Sequence, residues 1–179
     1  KTNLLGHSMG GKLAMLITIL QPNYVNKLII ADIAPINYPN DNQNIINALC
    51  SLDLNLIKNR NHADELLSKE IEQKFLRAFL LQNIKHSDGE YHWSINLKTI
   101  KKSMNDLRSF PKIDKNHKVD TKSLCIYGQN SEYVNINHFQ FFKNYFSNIL
   151  FHKIKNAGHF LHIEKPDEFY EVSKNFFTD

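Results

Sequence analysis

Four short apolar runs punctuate the chain, and between them apolar residues fall at helical spacing. The first run, residues 3–5, ends in Gly6 and reads as the end of a buried strand. KLAMLITILQP follows, with Leu13, Leu16, Ile17 and Leu20 at the helical period and Pro22 as the stop. VNKLIIADIAP is nearly continuous in apolar residues and ends at Asp32 and Pro35. A run this apolar predicts a parallel strand covered on both faces. Strand, tight turn, helix and strand make a βαβ unit.

From residue 35 to about 112 the pattern changes. Ile45, Ile46, Leu49 and Leu52 predict one amphipathic helix. Leu66, Leu67, Ile71, Phe75, Phe79 and Leu80 predict a second, longer one. SDGEYHWSIN carries a turn signal at Asp88 and Gly89, then alternates through Tyr91, Trp93 and Ile95. A further helix is expected over residues 98–107. No run here reads as a buried parallel strand, so residues 35–112 are expected to form a mostly helical insertion.

The βα pattern then resumes. KSLCIYG reads as a strand ending in Gly128, and NHFQFFKNYF as a helix with Phe139, Phe142 and Phe146 on one face. NILFHKI reads as a strand. KPDEFYEVSKNFF is the last helix, with Pro166 near its start and Phe169, Val172 and Phe176 facing inward. The expected class is α/β: a mostly parallel sheet with flanking helices. Its core comes from residues 1–34 and 113–179, and the helical insertion spans 35–112.

Composition narrows the function classes. The 179 residues suffice for one domain with a sizeable core. No apolar run approaches the roughly 20 residues that span a bilayer, so a membrane partner is not expected. The chain opens on Lys1 rather than Met, so a missing leader carries little weight. The net charge of +4 comes from lysines scattered among Asn and Asp. They predict a solvated surface, not a nucleic-acid-binding stripe. Cys50 and Cys125 form no C-x-x-C pair, so neither a zinc site nor a redox motif is expected. Cys125, within SLCIYG, reads as a small buried apolar residue. Two distant thiols fit a reducing, cytoplasmic setting.

Gly6-His7-Ser8-Met9-Gly10 matches G-x-S-x-G between a strand and a helix. A nucleophile on so sharp a turn needs flanking glycines, whose missing Cβ atoms avoid a clash. Ser8 then sits at a helix N-terminus, where Met9 N–H is the natural first donor to an oxyanion. A serine hydroxyl is a weak nucleophile and needs a base. His7 lies inside the turn and is expected to point away from the reacting atom. His62, His86, His92, His117 and His138 stand in polar contexts and read as surface residues, and His152 lies within a strand. His159, in the loop NAGHFLH after a strand, is the candidate base, because loops after parallel strands converge on one edge. His162 reads as a packing residue near it. His159 and His162 lack a third nearby ligand, so no metal is expected. Asp32 is the candidate acid, since a carboxylate ending a buried strand is costly without a partner. The alternative is that Asp32 only caps its turn. A second loop, Gln129, Asn130, Ser131, Glu132 and Tyr133, also offers Glu132.

GHSMGGK, IADIAPINY, GQNSEYV and AGHFLHIEKPDEF together resemble the α/β-hydrolase superfamily. They are most similar to the small group of serine esterases typified by the bacterial esterase YbfF, which carry a helical lid. The resemblance covers essentially the whole chain. It implies Ser8 as nucleophile, His159 as base and Asp32 as acid. It also places Ser131 where many relatives carry the acid and implies that Ser131 bonds to the His–Asp pair; Glu132 is the less favoured acid. In the family the nucleophile turn follows the fifth strand. The resemblance therefore implies a C-terminal part that begins inside that strand, from a partial record or a split gene. The N-terminal strands and the second oxyanion donor lie outside it. It also implies hydrolysis of short- to medium-chain carboxylic esters through an acyl-enzyme, without metal or organic cofactor. The expected partner is a small acyl ester or thioester. An acyl-CoA thioesterase is the alternative, with Lys101 and Lys102 as phosphate contacts. Perhydrolysis and carbon–carbon bond hydrolysis are not excluded by Ser8. A non-catalytic remnant or interaction module is the alternative of another class. Residues 35–112 would form the lid, with Leu49, Phe79, Trp93 and Leu107 as candidate pocket residues.

Overall fold

The computed structural model of the chain describes residues 1–39, 43–113 and 118–179, so His117 lies outside the described residues. Residues 1–37 and 109–179 form one compact unit, and residues 38–108 form another.

Among its described residues the first unit has four parallel strands in the order β1-β2-β5-β6. These are β1 (Thr2–His7), β2 (Val25–Ala31), β5 (Lys122–Gly128) and β6 (Ile149–Ile154). The near-continuous apolar run at β2 has the predicted consequence: Leu28, Ile29, Ile30 and Ala31 are fully buried between two neighbours. Among the described residues β1 has β2 as its one neighbour; Leu5 is 43% exposed and Gly6 is buried.

Helix α1 (Met9–Leu20) also departs from the reading of its pattern. Leu13, Ile17 and Leu20 face outward, while Gly11, Lys12, Ala14, Met15 and Thr18 are buried. The reason is close approach to the sheet. A Cβ on Gly11 would stand 2.6 Å from Ile33 Cγ2 and 2.9 Å from Gly6 O, so small residues take the inner face.

On the far side of the sheet lies α9 (Pro166–Thr178), with α8 (Leu161–Glu164) before it. Phe169, Val172 and Phe176 pack with Ile29, Leu124, Ile126, Ile154 and Leu161, as the helical period predicts. Lys27 Nζ donates to the carbonyls of Phe176 and Phe177, both at 3.1 Å, at the positive-seeking end of α9. Phe142 and Phe146 are buried around α7 (Phe139–Lys143), and Phe139 stacks on Phe151. This helix is shorter than expected, because residues 136–138 form a separate tight turn before it. Cys125 is fully buried in β5.

The second unit holds α2 (Gln43–Ser51), α3 (Arg60–Leu67), α4 (Lys74–Leu80), α5 (Leu97–Lys102) and α6 (Met104–Arg108). Strands β3 (Ile84–Ser87) and β4 (Glu90–Trp93) pair as an antiparallel hairpin. Positive φ at Asp88 (54°) and Gly89 (83°) gives its two-residue turn. The long helix expected over residues 66–80 is two helices. Arg77 explains the break: its Nη1 donates to Ile71 O and Glu72 O, each at 2.8 Å, in the intervening turn. The same guanidinium grips both oxygens of Asp64 on α3, at 2.8 and 3.1 Å. That bond holds the Asp64 carboxyl below its ordinary range. The helix expected over residues 98–107 is likewise divided, at Ser103. Ile46, Leu49, Ile57, Leu67, Leu81, Ile84 and Leu97 make this unit's core, with Trp93 packed against it. A cavity of about 530 Å³ is lined by Asn44, Asn47, Leu52, Leu56 and Leu67 among others, and not by Leu49, Phe79, Trp93 or Leu107. No helix among the described residues is long and apolar enough to cross a membrane.

Candidate active site

All four described strands of the first unit run the same way, so the loops leaving their C-terminal ends meet at one edge. Ser8 follows β1, Asp32 follows β2, Ser131 follows β5 and His159 follows β6. Backbone bonds carry the register past the strand ends: Ser8 N–H donates to Ala31 O at 3.0 Å, and Asp32 N–H to Ile126 O at 2.8 Å.

Ser8 sits at φ 53° and ψ −124°, a conformation costly for a residue with a Cβ. Its neighbours make room. A Cβ on Gly6 would stand 2.2 Å from Gly10 O and 2.6 Å from Gly11 N. The expectation that both motif glycines are sterically required holds for Gly6 only. A Cβ on Gly10 would meet nothing within 4 Å, and Gly11 takes the second close approach. Ser8 O accepts from Gly11 N–H at 2.8 Å and Lys12 N–H at 3.2 Å, which starts α1 directly after the turn. Met9 holds the first position of that helix.

His159 Nε2 lies 3.0 Å from Ser8 Oγ, and its Nδ1 lies 2.8 Å from Asp32 Oδ2. Asp32 is fully buried, with φ 52° at the strand end. An ionised carboxylate only accepts, so the proton is on Nδ1, and Nε2 offers its lone pair to the Ser8 hydroxyl. Asp32 Oδ1 accepts from Gly128 N–H at 3.1 Å. The Ser131 hydroxyl donates to Asp32 Oδ2 and accepts from Tyr133 N–H at 3.1 Å. Its hydrogen is thereby directed at the carboxylate. Three donors thus hold the Asp32 charge in a fully buried place. Gly128 permits the crossing, since a Cβ there would stand 2.3 Å from Gly158 O.

Sequence reasoning missed several neighbours. The Tyr133 ring stacks on the His159 ring, centroids 3.9 Å apart. His7 does more than point away: its Nε2–H donates to His159 O at 2.7 Å. Burial pushes the His7 pKa down from its ordinary value. His162 packs beside His7, centroids 4.6 Å apart, and burial lowers its pKa too. Glu164 bonds to the loop on both sides of His159, at Gly158 N–H (2.7 Å) and Phe160 N–H (3.2 Å). Lys12 is nearly fully buried, and its Nζ donates to Ile36 O and Ser109 O, both at 3.0 Å. These carbonyls flank the points where the chain leaves this unit and returns to it. Burial lowers the Lys12 pKa to about 8. Glu132 is exposed, and Asp32 is the carboxylate at the His159 ring.

A sequence profile of the alpha/beta hydrolase fold matches residues 1–166. The chain belongs to the α/β-hydrolase family. It is 31% identical to the sn-1-specific diacylglycerol lipase ABHD11 of Danio rerio, over 94% of this chain and 55% of that protein. It is 32% identical to a putative esterase/lipase of Haemophilus influenzae, over 98% of this chain and 60% of that protein. Esterase YbfF of Escherichia coli is 29% identical over 100% of this chain and 68% of its own length. Among solved structures, a marine microorganism esterase superposes with a TM-score of 0.92 at 36% identity, covering 97% of this chain and 69% of that one. Thus this α/β-hydrolase chain spans little more than half the length of the first curated relatives it matches.

Proposed function

We propose that the protein is a serine hydrolase of carboxylic esters. The observation that carries this reading is the continuous relay from Ser8 Oγ to His159 Nε2 (3.0 Å) and from His159 Nδ1 to Asp32 Oδ2 (2.8 Å). Ser8 Oγ attacks the acyl carbon as its proton passes to His159 Nε2. The imidazolium that forms is stabilised by the buried Asp32 carboxylate, which keeps its charge. Ser131 and Gly128 N–H fix that carboxylate so that one oxygen faces His159. Met9 N–H, at the start of α1, is one of the two donors such an oxyanion needs. His159 then protonates the leaving alcohol. A water activated by the same nitrogen releases the acid and restores Ser8.

The relatives named esterase and lipase support an ester as substrate. We assign short- to medium-chain acyl groups as the preferred range, with selection by the unit of residues 38–108 acting as a lid. The free thiols Cys50 and Cys125 fit a cytoplasmic location. The test is a panel of p-nitrophenyl esters from acetate to dodecanoate, a diacylglycerol and the matching acyl-CoA thioesters, with the enzyme as its gene encodes it. Ester turnover peaking below about ten carbons is expected. Preference for the CoA thioesters by tenfold or more in kcat/KM would make it a thioesterase. No turnover of any, in folded protein, would leave an interaction module.

A further inference from the structure

The chemistry proposed above asks one imidazole to face Ser8, Asp32 and then a leaving group without losing its place. The ring is held by its two nitrogens and by Tyr133. Its backbone is another matter. His159 sits in a loop between β6 and α8, after Asn156 at positive φ (54°). The bonds of this loop to the loop after β5 lie before the base, at Asn156 N–H (to Gln129 Oε1, 3.1 Å) and Ala157 O (from Asn130 N–H, 2.8 Å).

Two side chains hold the backbone at the base itself. Glu164 spreads its carboxylate across the loop: Oε2 accepts from Gly158 N–H at 2.7 Å and Oε1 from Phe160 N–H at 3.2 Å. These are the residues immediately before and after the base. His7 adds a third bond, donating Nε2–H to the carbonyl of His159 itself at 2.7 Å. The peptide groups around His159 are therefore held from both sides. Moreover, His7 belongs to the strand that delivers Ser8, so the nucleophile's own turn grips the base's backbone. The Glu164 N–H makes an ordinary helical bond to Phe160 O at 2.9 Å, and its Oε1, accepting from Phe160 N–H, covers the start of α8 as a local cap would. A cap alone accounts for the Phe160 bond. It does not account for the bond to Gly158, two residues before the helix boundary.

We propose that Glu164 and His7 are positioning residues that hold the backbone of His159 in register with Ser8, a role that rests on the hydrolase reading given above. Neither touches the reacting atoms. Their loss lets the imidazole wander, and small misplacements of a catalytic group are costly in rate. Substrate binding does not depend on them, so the effect falls on kcat.

The experiment compares Glu164→Gln, His7→Phe and His7→Gln in the enzyme as its gene encodes it. An amide at 164 has one acceptor for two N–H donors. Phenylalanine at 7 keeps a ring and removes the donor, whereas glutamine restores an N–H donor. Glu164→Gln and His7→Phe are expected to lower kcat about ten- to a hundredfold with KM within twofold. His7→Gln is expected to recover at least a third of the loss on a logarithmic scale. Amide hydrogen exchange at Gly158 and Phe160 gives a readout independent of turnover. It should speed at least tenfold in Glu164→Gln, while α1 and β2 keep their protection. Exchange unchanged at both amides, or kcat within twofold of the parent in a folded Glu164→Gln, overturns the proposal. So does an equal loss in His7→Gln and His7→Phe. If the parent enzyme hydrolyses no ester, the hydrolase reading fails on its own. The exchange result still decides whether Glu164 holds the loop.

Discussion

Replacing Asp32 by asparagine changes no volume and removes one charge, which makes it the sharpest probe of the site. Asp32 is fully buried and accepts from three donors: Gly128 N–H at 3.1 Å, His159 Nδ1–H at 2.8 Å and the Ser131 hydroxyl. An amide has one accepting oxygen and one NH₂, so one side of it must confront a donor. If the NH₂ turns to Gly128, a buried N–H loses its partner, at about 1–3 kcal/mol of stability. If the NH₂ turns to His159, the imidazole must carry its proton on Nε2. It then presents a donor to Ser8 and cannot act as base. In the first arrangement the imidazolium also loses its counter-charge. Either way kcat/KM should fall about 10⁴-fold, or about 5.5 kcal/mol. The assay is initial-rate hydrolysis of a p-nitrophenyl ester, with urea unfolding of the same samples to separate stability from chemistry. Glu132→Gln, at an exposed side chain, should stay within threefold of the parent. An Asp32→Asn enzyme within tenfold of the parent would refute the reasoning, and a severe loss in Glu132→Gln would move the acid there.

Three further predictions follow from packing and burial. Gly6→Ala drives a Cβ to 2.2 Å from a backbone carbonyl and should abolish activity or folding, whereas Gly10→Ala, with open space around its Cβ, should melt no lower than the parent. Thermal melts and activity of the two variants check this contrast. The Lys12 amine, about 8 when folded against 10.5 in the unfolded chain, binds more protons unfolded between those values. Its contribution to stability therefore rises with pH in that window, by at most about 2 kcal/mol between pH 8 and 9.5. Urea unfolding at the two pH values should show this gain in the parent and not in Lys12→Met. Arg77→Met removes the grip on Asp64 and on the turn between α3 and α4, and should lower the melting temperature of the protein. The ion pair should resist acid well below pH 5, since the Asp64 carboxyl is held below its ordinary range. Asp64→Asn should melt at a lower temperature than the parent at pH 5 and approach it under stronger acid.

Much of this site is written in local sequence. Gly6, Ser8 and the helix after them are neighbours in the chain, and so are His159 and the strand before it. The placement of Asp32 could be argued from the cost of burying a carboxylate at a strand end. What failed was whatever depended on partners from elsewhere. The pattern of α1 shows which residues are apolar, not which face meets the sheet. The close approach of Gly11 to Ile33 decided that, at a Cβ distance of 2.6 Å. The long helix expected across residues 66–80 broke because Arg77 satisfies carbonyls in the turn. That bond leaves no periodic trace. Glu164 and His7 were invisible for the same reason, since each acts on a backbone group and not on a side chain. The Glu164 bond to Phe160 N–H had one local signal, an acidic residue four positions on at a helix start.

The most direct test of the account is labelling by a fluorophosphonate probe, read by mass spectrometry on peptides containing Ser8. It is performed on the enzyme as its gene encodes it and on the Ser8→Ala, His159→Gln and Asp32→Asn variants. The account predicts a single adduct at Ser8, absent in Ser8→Ala and slowed at least a hundredfold in the other two. An adduct at another serine, or no adduct in protein shown to be folded, would contradict it.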